Sequence, residues 1–360
     1  MHVTPDRVRP TLYSDGEVQI MPSLIELMNT RHGRRHVSSA LFASFSAQSL
    51  LRFSRTCQDA RAMVTEYIKD AFSVHTTLVR FFPDPSGFRS LQARTGTLIS
   101  GSVALQFFDR AFYPTSDLDL YVHSKHRREV GLWLLSMGYT FTPSRGQDSH
   151  FDTAVLSPYQ RKGLHYVMPG VLAIFTFHRR VFNKSLKAQI IVACRAPMEV
   201  VLGFHSTCVM NVISYDAAYC LFPRATLEER LSLLSWSSEA RSVRREEALN
   251  KYSARGFHML EFLDDDVHFT PEQHRVFPFG PRWLGDAHTW TIRLTSSANG
   301  VLPPPPNPYS PAGSQDPVAL TSFSMRYHHE DGAIMKFVVI QCPALKVSYV
   351  MADDEGERGH

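Results

Sequence analysis

Asp117 and Asp119 stand two residues apart in a run where Leu118, Leu120 and Val122 alternate with polar or aromatic positions. That period of two is the pattern of a half-buried strand, whose side chains two apart project from the same face. Two carboxylates so placed repel each other, an arrangement tolerated where a cation binds or where both acids are well solvated. Paired hard oxygens suit Mg²⁺, which keeps several waters and takes one or two carboxylates together with phosphate oxygens. A seat for phosphate lies just upstream. Gly96-Thr-Leu-Ile-Ser-Gly101-Ser102 reads as a short apolar strand running into a Gly-Ser turn, and residues 103–109 as a short helix with Val103/Phe107 and Ala104/Phe108 at i, i+4. A Gly-Ser turn at a helix N-terminus offers an anion backbone N–H groups and the positive end of the dipole. Each half alone is equally a tight turn or a pair of surface acids on an edge strand; the ordered set strand, turn, helix, strand is the stronger signal.

Gly101-Ser102, a helical crossover and Asp117-x-Asp119 together resemble the signature of the DNA polymerase β-type nucleotidyltransferase superfamily. The wording of residues 101–120 is most similar to its small, minimal members, such as the nucleotidyltransferase toxins of toxin–antitoxin systems. The resemblance implies an α+β fold in which a mixed sheet is flanked by helices. It also implies that Gly101 and Ser102 hold the triphosphate of an NTP. Asp117 and Asp119 would be the catalytic carboxylates and the ligands of Mg²⁺, with Mn²⁺ as the alternative ion. The chemistry implied is in-line transfer of a nucleotidyl group to an acceptor hydroxyl, with metal clamping the attacking and leaving oxygens.

Members of that superfamily carry a third carboxylate on a later strand. The candidate strand here is Leu186-Lys-Ala-Gln-Ile-Ile-Val-Ala193, and the aligned position is Gln189. A glutamine is neutral, cannot act as a base and is a poor ligand for a hard cation. Either Asp152, Glu199 or another acid substitutes, or metal chemistry is impaired. The rival readings are a catalytically silent nucleotide-binding protein and an adaptor.

The elements that must position these residues follow from the surrounding pattern. Residues 1–20 read as a flexible lead-in and 21–80 as helical, with clusters at Leu41, Phe42 and Phe45, at Leu50, Leu51 and Phe53, and at Val64, Ile68 and Phe72. Ser49-Leu-Leu-Arg-Phe-Ser-Arg-Thr-Cys-Gln-Asp-Ala-Arg61 resembles the second half of an F-box, which implies a Skp1-like adaptor as partner; Arg31–His36 breaks the spacing of the first half. Phe81–Gly87 reads as a loop because of Pro83 and Pro85. The core is expected over 88–225, with a helix capped by Ser124 and stopped at Gly138 and a strand at Val171–Phe177. A helix is expected from Ser206/Thr207 to Pro223, where His205 and Cys208 would share a face as a metal pair or simply as core. Residues 226–300 read as a helical extension. There Thr226-x-x-Glu229 is a capping box before Leu227, Leu231 and Leu234. A later run places Arg241, Arg244, Arg245, Lys251 and Arg255 on one stripe, solvated or facing phosphate. Residues 301–317 form a Pro-rich linker, 318–352 a β-hairpin joined by Trp290–Leu294 in a small sheet, and 353–360 a polar tail.

The bulk numbers bound this reading. A chain of 360 residues, 44 % hydrophobic and 20 % charged, has the makeup of a globular protein. Its net charge of +4 suits an anionic ligand without pointing to nucleic acid. No run of ~18 apolar residues predicts a membrane span, and the N-terminus has no signal-peptide pattern. The five scattered cysteines read as reduced, buried thiols of the cytoplasm or nucleus.

Overall fold

The structure is a computed structural model that describes residues 33–156, 169–235, 243–263, 275–294, 316–328, 332–342 and 348–353. The expected lead-in, the opening half of the F-box-like segment, Arg241, the acidic run Asp264–Asp266, nearly all of the Pro-rich linker, the hairpin turn at Asp331 and the tail beyond Asp353 lie outside the described residues. Packing divides the chain into two units.

The first unit comprises the described residues up to Phe45 together with Ser49–Tyr67. It takes in α1 (Gly33–Ser44), most of α2 (Ala47–Phe53) and the start of α3 (Gln58–Ala71). Phe42 is its centre, fully buried, with the rings of Phe53 and Tyr67 each 5.5 Å away. Of the three residues in the F-box-like cluster, Leu50 is fully buried, Phe53 packs on Phe42 and Phe45, and Leu51 is 39 % exposed.

The second unit is α+β. It runs from α4 (Val74–Leu78) and α5 (Pro85–Thr95) into β1 (Leu98–Ser100), α6 (Gly101–Asp109) and β2 (Leu118–His123). Then come α7 (Arg127–Ser136), β3 (Thr140–Thr142), α8 (Phe151–Leu156), β4 (Val171–Val181), β5 (Lys184–Ala193) and α9 (Pro197–Leu202). Strands β6 (Asn211–Ile213), β7 (Ala217–Cys220) and β8 (Leu231–Leu233) precede α10 (Val243–Ser253). Beyond it lie β9 (His258–Leu260), β10 (Gly280–Trp283), β11 (Trp290–Arg293), β12 (Ser322–His328), β13 (Gly332–Ile340) and β14 (Tyr349–Ala352).

The main sheet has the order β11-β7-β6-β1-β2-β5-β4-β3 and is mixed: β2 and β5 are parallel, and every other pair is antiparallel. Leu118, Leu120, Val122, Ile190 and Val192 join the apolar cluster on one face, while Tyr121, Ile191 and Ala193 join that on the other. Asp119 and His123 therefore share the face of Tyr121. A second sheet, β10-β12-β13-β14, is antiparallel.

Several expectations are corrected. Pro85 starts a helix instead of excluding one: it sits at the first helical position, where its missing N–H is no loss, and the Asp84 side chain caps the turn by accepting from the Gly87 N–H at 2.8 Å. The helix expected after Ser206 is a single turn of 3₁₀ helix followed by β6 and β7. A continuous apolar run fits a strand buried on both faces as well as a buried helix, and the Ser214 hydroxyl makes the reversal by accepting from the Ala217 N–H at 3.1 Å. Thr226–Glu229 opens no α-helix. Residues 224–228 form one wide turn ended by Arg230 at φ 54, and Leu231–Leu233 are strand. Trp290–Arg293 joins the main sheet on β7, not the hairpin. Among the cysteines, Cys208 and Cys220 are buried but Cys57 and Cys342 are exposed.

Candidate functional site

The antiparallel pairing of β1 with β2 sets Ser100 opposite Asp119, so the chain turns into α6 directly beside that carboxylate. Gly101 makes the turn with φ +65, in the left-handed region that glycine enters without strain. A Cβ on Gly101 would lie 2.9 Å from Asp119 Oδ2. Asp119 lies on β2 as expected, whereas Asp117 is the residue just before the strand. Arg80 holds the approach to it, donating to the carbonyls of Tyr113 at 3.3 Å and Ser116 at 3.2 Å. Asp117 Oδ2 accepts from Lys187 Nζ at 2.7 Å.

The parallel register of β2 and β5 pairs Asp119 with Gln189. Gln189 Nε2 donates to Thr176 Oγ1 on β4 at 3.2 Å. The two acids named as substitutes for a carboxylate at this place are engaged elsewhere: Asp152 is paired with Arg128 at 2.8 Å and Glu199 with Arg195 at 2.5 Å. Among the described residues no group of three His, Cys, Asp or Glu side chains forms a metal cage.

The end of α10 and the residues after it complete the site. Ser102 Oγ lies 3.2 Å from the Tyr252 hydroxyl and accepts from Arg255 Nη1 at 3.1 Å. The Arg255 guanidinium is stacked over Tyr113, 4.0 Å from the ring centroid, which fixes its plane while leaving its edge donors in place. Lys251 is close enough to Asp119 and Asp117 for both to act on its charge. Of the expected basic stripe, Lys251 and Arg255 thus reach the acidic pair and the Gly-Ser turn. The side chains of Arg244 and Arg245 lie outside the described set, as does Arg241. Sequence reasoning missed Lys187 and Tyr252. The available signals were that Lys187 precedes Gln189 by two residues, hence shares its face, and that Tyr252 is the lone aromatic of a polar helix.

Burial, with a smaller push from Asp117, raises the Asp119 carboxyl to about 7 against the pull of Lys251 and Lys187. Burial lowers Lys251, and the neighbouring Arg255 lowers it further. Burial also pushes the Tyr252 hydroxyl up to about 12, so it is a neutral donor at ordinary pH. At the far end of β2, burial depresses the His123 imidazole to about 4. His123 lines a small cleft with Gly96, Leu98, Pro197, Pro317 and Val350, away from the aspartates.

Other candidates do not join this site. Arg179 donates to the Phe81 carbonyl at 3.1 Å and Arg180 is exposed. Cys208 is buried, with its N–H donating to Ser232 Oγ, and it does not share a helix with His205.

Compared with protein-family models, with curated proteins and with solved structures, the chain matches none. No described helix is long and apolar enough to cross a membrane.

Proposed function

We propose that this protein binds the triphosphate of a nucleotide in a site of the nucleotidyltransferase type, formed by the Gly101-Ser102 turn, the Asp117/Asp119 pair and the end of α10. The observation that carries the reading is the packing of a glycine-led helix N-terminus against one carboxylate of an aspartate pair, with Arg255 donating to the turn's hydroxyl. A helix N-terminus and a guanidinium attract phosphate oxygens, while carboxylates beside them favour a nucleotide that arrives with a cation.

Asp117, once Lys187 is displaced from it, and Asp119 would hold Mg²⁺ or Mn²⁺ when the ion is present, and the ion would supply Lewis-acid stabilisation of charge on the phosphates. The donor set fits an ion that draws most of its shell from water and phosphate, since Gln189 adds no charge. Ser102 and Arg255 orient the phosphate chain, and Tyr252 holds the Ser102 hydroxyl in place. Transfer to an acceptor hydroxyl needs a base near the acceptor. Gln189 cannot be one, so turnover is slow or absent and nucleotide binding is the main activity.

A thermal-shift titration of the full chain with each of the four NTPs, with and without Mg²⁺ or Mn²⁺, tests the reading, because a ligand of the native state raises its melting temperature. A rise with at least one NTP is expected. No rise with any of them, under any metal condition, removes the proposal.

A further inference from the structure

We infer that Lys187 is the resident cation of the site, and that the triphosphate of a nucleotide binds here without requiring a divalent metal. The inference rests on the nucleotide-binding reading above.

Lys187 Nζ sits 2.7 Å from Asp117 Oδ2, with the two side chains 33 % and 37 % exposed. An ammonium at hydrogen-bond distance from one of the two metal-type carboxylates occupies the place in which a cation would balance that charge. Its position in the sequence is equally specific. Lys187 lies on β5 two residues before Gln189, so both project from the face that carries Asp119. The same strand thus leaves out a negative charge at Gln189 and adds a positive one two residues earlier.

The charge balance follows. Lys187 and Lys251 stand beside Asp117 and Asp119, and Arg255 beside Ser102, so three cationic side chains outnumber the two acids. A cluster of three carboxylates repels a polyphosphate until metal neutralises it; this cluster carries its own neutralising charge. Lysine is suited to such duty, being a point charge on a flexible stem that can pass from carboxylate to phosphate oxygen without losing a partner. A divalent ion entering at Asp117 must displace that ammonium, so metal and Lys187 compete for one carboxylate. Arg255 is stacked on Tyr113 and stays as the fixed donor.

The ligand chemistry is a triphosphate, whether on a nucleoside or free, and two probes separate these sources: ATP and inorganic tripolyphosphate. Calorimetric titration of the full chain with each probe, in EDTA and in Mg²⁺, tests the inference on wild type, Lys187→Met and Asp117→Asn. Wild type is expected to bind in EDTA within about threefold of its affinity in Mg²⁺. Lys187→Met loses about tenfold or more in EDTA, the usual scale for removing a charged hydrogen-bond partner, and becomes Mg²⁺-dependent. Asp117→Asn keeps or improves binding in EDTA, since it removes a repulsive charge and frees Lys187, and it loses any gain from Mg²⁺. Circular dichroism confirms that each variant is folded. Tighter binding of ATP than of tripolyphosphate adds recognition of the nucleoside; equal binding makes the site a polyphosphate site with the same resident cation. Wild-type binding that is lost in EDTA and restored by Mg²⁺ overturns the inference while sparing the nucleotide-binding reading, and no binding in either condition removes both.

Discussion

Gly101 and Asp119 are in contact across the β1–β2 pair: no side-chain atom fits between the glycine Cα and the Asp119 carboxylate. The close approach brings the N-terminal N–H groups of α6 and a half-buried acid to one point. That acid is raised to about 7 by desolvation and by Asp117, so its ionised form is disfavoured and a bound cation or a proton relieves it.

Asp119→Asn should therefore make the protein more stable at alkaline pH. A carboxyl whose folded pKa is about 7, against 3.8 when unfolded, favours folding fully below 3.8 and loses that contribution as pH rises through 7. The wild type should lose stability across this window, by about 1–3 kcal/mol once partial solvent contact is allowed for. Urea unfolding at pH 5 and pH 8 checks it: the variant should be the more stable protein at pH 8. Equal losses in the two proteins would contradict the raised Asp119 carboxyl.

His123, on the same strand, should act with the opposite sign. Its folded pKa is held near 4 by burial, so the unfolded chain takes up its proton first. Its contribution is complete above 6.5 and falls away as pH drops toward 4, by about 1–3 kcal/mol. His123→Gln should flatten the acid limb of the stability profile between pH 6.5 and 4. An unchanged acid limb would show that this imidazole can be protonated in the folded state.

Gln189→Asp places a third carboxylate next to Asp119 in register. It should tighten Mn²⁺ binding, read by the loss of the free-ion paramagnetic signal, by about tenfold, since each added charged hard-oxygen ligand strengthens such a site. Without metal it should also lower stability, because three acids repel. Unaltered ion affinity would mean that Gln189 does not face the aspartate pair.

Arg255→Met and Tyr252→Phe separate ligand contact from positioning. Arg255 donates to Ser102 Oγ and keeps its plane on Tyr113. Its loss should weaken ATP binding about tenfold or more, as expected for a charged donor to phosphate. Tyr252→Phe removes one neutral hydrogen bond, worth about 1 kcal/mol of stability, and should change affinity by much less. The reverse order would move the phosphate seat from Ser102 toward the tyrosine.

The site was legible in part from local pattern. Leu118, Leu120 and Val122 set the strand face, and Gly101-Ser102 set the turn; neither needs tertiary information. Gln189 was legible because the strand it sits on alternates clearly, and the parallel register with β2 places it opposite Asp119. Lys187 and Tyr252 were not, because their role comes from elements 70 and 150 residues from Asp117 and Ser102 in the chain. The β6–β7 reversal reads as a helix in the sequence because its residues are buried on both faces and show no period. Pro85 reads as a helix breaker, yet a proline that breaks a helix interior is well suited to a helix start. The F-box-like segment spans most of α2, the loop after it and the start of α3; Leu50 is spent on the interior and Leu51 is partly exposed.

The most direct measurement of the central claim is binding of each of the four NTPs to wild type and to Gly101→Val, with folding of the variant confirmed by circular dichroism. Valine at φ +65 is strained, and its Cβ stands 2.9 Å from the Asp119 oxygen, so the turn and the carboxylate cannot keep their places together. The account predicts that wild type binds at least one NTP and that the folded variant loses about tenfold or more in affinity for it, the scale of a lost charged phosphate contact. Equal affinity in a folded Gly101→Val chain would contradict it, because the nucleotide would then be held somewhere other than the Gly101–Asp119 contact.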